Sequence, residues 1–391
     1  MNDYYARLVG IRPLCPRDIN EPHRAATPLE VFFDLVSVIS IAAAAAGLHH
    51  IIADNHVVEG IVIFVTAFFP IWWAWMNFTW FASAYDNDDT LYRLLVLTIM
   101  SGAITMAAGI GIFFESLDMT LIVVGFVIMR LSMVVLWVRA ARHDPGRFRT
   151  ALWYAGGIVS VQVYWVTLLL NQPVDQLSFF SLFALGAMME LSIPVIAERH
   201  GNTPWHRHHI MERYGLLNII VLGETLLAGS VALKSVASHG FNFTFLQVAL
   251  SALVILFSMW WVYFSKEEHL QKKSLAMELS WGYGHLMIFM SGAAVGAGFA
   301  VLIDIETGHA RVGGKTGIYS VAIPVALYLM GLWFVRDRFV LSGASKRVLP
   351  LFSFLIVMTA PLLQVEGVAA LILLAVIVRN LLSEPKSVSL K

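Results

Sequence analysis

The sequence predicts an all-α membrane protein with about twelve transmembrane helices, arranged as two parallel repeats of six helices. The first observation behind this fold class is composition: the 391 residues are 58% hydrophobic and 13% charged, with a mean hydropathy of +0.74. A soluble domain carries about 25% charged residues, so this chain lacks the polar residues that cover a water-exposed surface. The other two observations are apolar runs of spanning length and a repeated order of motifs.

The charge balance excludes several classes of function. The chain has 26 Lys+Arg and 26 Asp+Glu, whereas a nucleic-acid-binding domain needs an excess of basic residues on one face. The single cysteine, Cys15, allows neither an internal disulfide nor a cysteine-based metal site. The sequence contains no Gly-rich phosphate motif, nucleophile elbow or zinc-protease motif. We therefore expect no nucleic-acid partner and no cofactor, and we favour a non-enzymatic function over an enzymatic one.

Apolar runs long enough to cross a bilayer follow one another along the chain. A spanning helix needs about 20 mainly apolar residues. The predicted spans are 28–48, 57–81, 91–114, 117–138, 151–170, 178–197, 214–233, 243–264, 276–303, 317–339, 348–363 and 366–382. The last two are separated only by a short polar stretch that contains Gln364 and Glu366.

Basic residues predict which side of the membrane each segment faces. If the N-terminus is cytoplasmic, the inside segments and the span ends that adjoin them hold 22 of the 26 Lys and Arg residues, the outside segments hold three, and Arg130 lies in the middle of a span. Cytoplasmic loops carry such an excess, so we expect both termini in the cytoplasm and a multi-pass protein of the cell membrane. The predicted segments are a cytoplasmic N-terminal segment (1–27), a first six-helix half (28–198), a cytoplasmic linker (199–213), a second half (214–382) and a C-terminal tail (383–391).

Motifs recur in the same order in the two halves. The chain has two Trp-Trp pairs, each in the second span of its half: Trp72-Trp73 and Trp260-Trp261. A Ser-Gly-Ala run lies in the third span of each half, at 101–103 and 291–293. Because each half contains an even number of spans, the two halves would share one orientation. The order therefore predicts a parallel repeat, an arrangement in which substrate sites lie near the bilayer midplane.

Two blocks combine charged residues with apolar runs at fixed spacing. The first reads Thr27-Pro28-Leu29-Glu30-Val31-Phe32-Phe33-Asp34-Leu35-Val36, and the second includes His209-Ile210-Met211-Glu212-Arg213-Tyr214-Gly215-Leu216 and runs on to Glu224. They resemble the corresponding blocks of the bacterial low temperature requirement protein A family, from about residue 23 to about residue 382. This resemblance implies a bacterial inner-membrane protein with a role in growth in the cold, and implies no molecular activity.

Ionisable residues inside the spans are candidates for the functional site. Each costs about 2.5–3.5 kcal/mol at the centre of a bilayer, so such residues are functional candidates by default. The deepest by position are Glu224, Glu190, Arg130 and His285. Arg130 cannot readily lose its proton, so we expect it to form a permanent ion pair with one acid, and Glu224 is a candidate partner. The other acids could exchange protons.

Acidic residues also mark the starts of the first and seventh spans. Glu30 and Asp34 are four residues apart and so share one helical face that leads inward from the cytoplasm. Glu30 could instead stabilise the positive end of its helix behind an N-cap at Thr27, and Glu212 has the same alternative. The binding or proton-coupling candidates are Glu30, Asp34, Arg130, Glu190, Glu212, Glu224 and His285.

Histidines crowd the segment before the seventh span, but they do not predict a metal centre. His208 and Glu212 are four residues apart, a spacing that can place two ligands on one helix face. Loop histidines at a membrane surface are more often solvated. His208, His209 and Glu212 are therefore weak metal candidates, and we expect no bound metal.

These features favour a secondary transporter that carries an unidentified small solute or ion across the lipid bilayer. Coupling of this transport to protons is compatible with the acids in the spans. One alternative is a cation channel of the duplicated six-span type. The first helix of such channels bears a Phe-Ser-Asp motif, which Phe33-Asp34 distantly resembles. The other is an intramembrane enzyme acting on a lipid-linked substrate, with His209 and Glu212 as acid and base. A homodimer is compatible with all three functions.

Overall fold

The helical prediction is confirmed by the computed structural model, which describes residues 10–22, 24–173, 175–239, 243–266 and 274–383. Of these residues 85% are helical and none lies in a strand. The helices are α1 (Pro28–Ala53), α2 (Val57–Tyr85), α3 (Thr90–Ser116), α4 (Thr120–His143), α5 (Phe148–Leu170), α6 (Gln176–Ala197), α7 (Arg207–His239), α8 (Phe243–Phe264), α9 (Leu275–Glu306), α10 (Gly314–Leu332) and α11 (Val348–Ser383). A π-helical turn, Trp333–Asp337, and a short helix, Arg338–Val340, continue α10.

Ten helices in the described part of the chain are long and apolar enough to cross a membrane. They are α1–α6 and α8–α11, with α10 extended to Val340. The predicted span 214–233 lies within α7, which has 33 residues and is not one of the ten. The predicted spans 348–363 and 366–382 both lie within α11, whose backbone is broken between them at Gln364. The structure therefore confirms a multi-pass helical protein, and the number twelve stays a prediction.

A break in the backbone divides α11. Gln364 has φ 57° and ψ −167°, and a positive φ is uncommon for residues other than glycine. Pro361, three residues earlier, has no backbone N–H to donate within the helix. The break falls between the last two predicted spans, at the polar stretch that separated them in the sequence.

Two compact units divide the chain, and their limits fall inside helices. The first comprises residues 1–44 and 62–216, and the second comprises residues 45–61 and 217–391. In the first unit α3 packs on α4, α4 on α5 and α5 on α6; in the second α9 packs on α10, and α11 packs on α10 and α8. The predicted halves 28–198 and 214–382 stay a prediction, and residues 1–9 and 384–391 of the predicted terminal segments lie outside the described residues.

The two Trp-Trp pairs have different surroundings. Trp72 and Trp73 are buried, with exposed fractions of 1% and 0%, whereas Trp260 and Trp261 are 50% and 43% exposed. The two Trp-Trp pairs, which match in the sequence, therefore pack differently within their units. The internal repeat stays a prediction.

Glycines let α3 and α4 approach closely. A Cβ atom on Gly102 would lie 2.6 Å from the carbonyl oxygen of Gly125, and one on Gly109 would lie 2.6 Å from the Cβ of Leu121. Small residues allow backbones to come this close in lipid, where packing of side chains against hydrocarbon contributes little to helix association. The close contact between α3 and α4 thus depends on glycine, which has no side chain, at these positions.

We expect Gly102→Ala to lower the melting temperature of the purified protein in detergent, because the added methyl group forces α3 and α4 apart. Overpacking of this kind costs about 1–3 kcal/mol. Gly111→Ala is the matched control on the same helix, since no atom lies within 4 Å of a Cβ at that position, and it should melt no earlier than the wild type. Equal destabilisation by both substitutions would contradict the close-approach explanation.

Candidate functional site

The first helix begins with a reciprocal cap that fixes the position of Glu30. The Thr27 hydroxyl accepts a hydrogen bond from the backbone N–H of Glu30 (3.3 Å), and the Glu30 carboxylate accepts one from the backbone N–H of Thr27 (2.8 Å). This is a capping box, and Pro28 occupies the first helical position. The capping role considered for Glu30 is therefore present, and one carboxylate oxygen remains for other contacts.

Glu30 and Asp34 face two residues of α7 that are also four positions apart. His209 Nε2 hydrogen-bonds Glu30 Oε2 at 3.2 Å and lies equally far from Oε1, and Arg213 Nη1 lies 3.1 Å from Oε1. Arg213 Nη2 donates to Asp34 Oδ1 and to the Glu30 carbonyl oxygen. We call Glu30, Asp34, His209 and Arg213 the Arg213 cluster.

Aromatic side chains surround the Arg213 cluster. Trp75 of α2 donates its indole N–H to Asp34 Oδ1 at 2.7 Å and packs edge-on against Tyr214, with ring centroids 4.9 Å apart. Trp80 donates to the Tyr214 hydroxyl at 2.9 Å. These contacts tie α2 to the start of α7 and exclude bulk water from the charged groups.

The Arg213 cluster is fully buried and only partly satisfied. Glu30 is 1% exposed, and Asp34, His209 and Arg213 are 0% exposed. Within the described residues, Asp34 Oδ2, His209 Nδ1 and Arg213 Nε have no hydrogen-bond partner. Unpaired buried polar atoms are costly, and they mark the places where water or a small ligand can bind.

A titratable group in the α2–α3 loop responds to the cluster. Asp86 is 5% exposed. Burial, and after it the negative charge of Glu30, raise the pKa of Asp86 from its ordinary value to about 6. Arg24 lies in the same part of the first unit, donating to the carbonyl oxygens of Ala82 and Ser83. Asp86 can therefore gain and lose a proton near neutral pH.

A second buried ion pair lies in the first unit. Arg130 Nη2 donates to Glu190 Oε2 at 2.7 Å, and Trp73 donates to the same oxygen at 2.8 Å. The other oxygen, Oε1, accepts from Gln162 at 3.1 Å and from Trp165 at 3.4 Å. We call these five residues the Glu190 cluster. Each oxygen of Glu190 accepts from two donors, so the hydrogen-bonding positions of this carboxylate are filled.

The ion pair expected for Arg130 is present, but its partner is Glu190 and not Glu224. Glu224 is half-buried and has no hydrogen-bond or ion-pair partner among the described residues. His285 is fully buried, with Nδ1 2.8 Å from the Trp281 carbonyl oxygen and Nε2 3.4 Å from the Tyr263 hydroxyl. Depth along the sequence located these groups in their spans, but it did not indicate which helix each one faces.

A family model establishes the relationship of the chain to known proteins. The model of the bacterial low temperature requirement A protein matches residues 25–382. The chain belongs to the bacterial low temperature requirement A protein family. The resemblance inferred from the two charged blocks is thereby confirmed, and both blocks contribute residues to the Arg213 cluster.

Another bacterial protein is similar to this member of the low temperature requirement A family. It is named "Uncharacterized protein RA0937", comes from Rhizobium meliloti (strain 1021) and is 27% identical over 348 residues, which cover 82% of this chain and 78% of the relative. No solved structure matches the chain significantly. The relationship therefore establishes family and not activity.

The weak metal candidates do not converge on one point. His209 is buried against Glu30, whereas His208 and Glu212 are exposed. Within the described ranges there is no group of three His, Cys, Asp or Glu side chains that could hold a metal ion. Glu212 lies beside the Arg213 cluster in the sequence, but its side chain is outside the buried set.

Sequence reasoning missed Arg213, Trp75 and Asp86. In the sequence, Arg213 is a basic residue near the cytoplasmic end of a span and a member of the second charged block, and neither feature indicates a contact with α1. The available signal was its spacing from His209, which equals the spacing of Glu30 and Asp34 and places both pairs on single helical faces. It also missed Arg379, which forms a buried ion pair with Asp337 in the second unit at 2.6 Å.

We expect Arg130→Met to lower the free energy of unfolding by about 3–5 kcal/mol, because it leaves Glu190 buried without a counter-charge. Adding Glu190→Gln to this variant should restore part of the loss, since no buried charge remains unpaired. Melting in detergent measures both effects. A double variant that melts below Arg130→Met would contradict the assignment of this pair as a structural anion and its counter-ion.

Proposed function

We propose that the protein is a proton-coupled secondary transporter of a small solute and that the Arg213 cluster is its proton-binding site. The observation that carries the proposal is a charge imbalance in a buried space. The cluster contains two carboxylates, one guanidinium and one imidazole, all at most 1% exposed. With the imidazole neutral, the four side chains sum to one negative charge.

A buried net charge is unfavourable, and one proton removes it. Burial in a medium of low dielectric constant disfavours charged groups that lack a partner, and two carboxylates that share one site resist simultaneous ionisation. A proton on His209, Glu30 or Asp34 makes the cluster neutral. Because the arginine keeps its charge, the proton is the variable part of the cluster.

Coupling follows from the single guanidinium shared by two carboxylates. Arg213 contacts Glu30 and Asp34 together, so any solute that draws Arg213 away from one of them alters the affinity of that carboxylate for a proton. Such linkage between two ligands is reciprocal. Proton binding and solute binding at this place would therefore drive one another, which is the thermodynamic requirement of a coupled transporter.

Two features support proton exchange between the cluster and water. Asp86 is in a loop, and its pKa of about 6 is close to neutral pH. The unpaired atoms of Asp34, His209 and Arg213 are positions at which bound water could continue a path inward. The Glu190 cluster is a poorer candidate, because its carboxylate already has four donors.

The proposal includes the finer architecture that the sequence predicts. It takes the chain to have twelve spans in two parallel six-helix halves, with both termini in the cytoplasm of a bacterial cell and the helices in the plasma membrane. The excess of basic residues on one side of the predicted spans supports this orientation. In it, the Arg213 cluster lies toward the cytoplasmic ends of α1 and α7.

We expect Asp34→Asn to abolish solute-driven proton movement in proteoliposomes, because it neutralises the cluster without a proton. The assay uses an entrapped pH-sensitive dye and a panel of amino acids, sugars, polyamines and alkali cations. Glu212→Gln is the matched control: it also removes one carboxylate, on an exposed side chain of the same α7 turn, and should retain the activity of the wild type. Both variants should melt within a few degrees of the wild type.

Three results would contradict the proposal. Proton movement that survives Asp34→Asn would place the proton site elsewhere. Equal loss with Glu212→Gln would mean that surface charge is responsible. A steady ion current without added solute would favour a cation channel over a transporter.

A further inference from the structure

A groove at one end of the first unit combines a free cation with exposed apolar side chains. It has a volume of about 340 Å³ and is lined by Arg149, Leu152, Trp153 and His200. Leu152 is 41% exposed and Trp153 is 49% exposed. The groove lies where α5 begins and where the segment after α6 ends, and both helices are candidate membrane spans. In a bilayer crossed by these two helices, the groove lies at the membrane surface.

Hydrogen bonds hold the two walls of the groove together. Thr150 donates to the Gly201 carbonyl oxygen at 2.9 Å, and Tyr154 donates to Glu198 at 2.8 Å. Trp153 stacks on His200, with centroids 5.1 Å apart and an angle of 22° between the rings. The segment that carries His200 is thus fixed to α5, and the groove is preformed.

The polar groups of the groove fit an anionic headgroup that also carries hydroxyls. Arg149 is exposed and has no ion-pair or hydrogen-bond partner among the described residues, and it lies in the first turn of α5, where the helix dipole favours an anion. His200 Nδ1 is 3.2 Å from the Ile196 carbonyl oxygen. A carbonyl only accepts, so Nδ1 donates to it, and the tautomer with its hydrogen on Nδ1 leaves Nε2 to accept a hydrogen bond from a hydroxyl.

We propose that this groove binds the headgroup of an anionic, glycerol-bearing phospholipid. Arg149 contacts the phosphate, His200 Nε2 accepts from a glycerol hydroxyl, and Leu152 and Trp153 contact the first part of the acyl chains. Tryptophan is enriched at this depth of a membrane, and basic residues at the surface attract anionic lipids. A soluble phosphate would leave the exposed apolar side of the groove uncovered, so the lipid is the occupant that matches all four lining residues.

The test measures lipid retention by the full chain in neutral detergent. Dioleoylphosphatidylglycerol and dioleoylphosphatidylcholine are titrated separately, and bound lipid is counted by native mass spectrometry together with the melting temperature. We expect the wild type to retain phosphatidylglycerol in preference to phosphatidylcholine. Arg149→Gln should weaken the retention of phosphatidylglycerol about fivefold, the effect of one arginine near an anionic surface.

Two further arms make the result decisive. Arg142→Gln removes an exposed arginine outside the groove and should leave retention unchanged, while Trp153→Leu keeps the charge and should weaken it. Equal retention of the two lipids, or equal loss with Arg142→Gln, would overturn the proposal. Displacement of the lipid by inorganic phosphate at similar concentration would also overturn it, because it would mean that the groove binds the anion alone.

Discussion

Arg213 is the single guanidinium that contacts two buried carboxylates, those of Glu30 and Asp34. The packing of the surrounding helices depends on this contact. Glu30 and Asp34 place one face of α1 against α7, and Trp75 adds α2 through its indole N–H. Removing charges from water is so costly that they must be paired where they are buried. The ends of α1, α2 and α7 are therefore held together by polar groups that would have no hydrogen-bond partners among apolar side chains.

The Glu190 cluster and the Arg213 cluster differ in how completely their carboxylates are hydrogen-bonded. Both sites are fully buried, and both contain an arginine and a carboxylate. Glu190 receives hydrogen bonds at every position that its two oxygens offer, from Arg130 and three neutral donors, so a change in its protonation would break several contacts. In the Arg213 cluster, by contrast, Asp34 Oδ2 has no donor and Arg213 Nε has no acceptor among the described residues. A site that is left incomplete inside a protein can accept a proton or a ligand with little rearrangement.

Composition and apolar runs were sufficient for a multi-pass helical protein, because spanning helices need long apolar runs and only 13% of this chain is charged; the twelve spans and the repeat stay predictions. Local spacing was also sufficient for the acidic face of Glu30 and Asp34 and for the cap at Thr27. The partners were not predictable in this way. Glu224 is the deeper acid by position, yet Asp34 has the buried counter-ion, because pairing depends on the rotation of each helix and on its neighbours. In the sequence, a lone arginine at a span end, such as Arg213, is as consistent with a residue that sets orientation as with one that forms a buried ion pair.

An exchangeable proton on the Arg213 cluster would be detected by infrared difference spectroscopy of the reconstituted protein. Spectra are compared across about pH 5 to 8, where imidazole and shifted carboxyl groups titrate, for the wild type, for the triple variant Glu30→Gln, Asp34→Asn, His209→Gln, and for Glu212→Gln. The account predicts a carboxyl or imidazole titration signal in the wild type and in Glu212→Gln that is missing from the triple variant. Identical difference spectra for the wild type and the triple variant would contradict it.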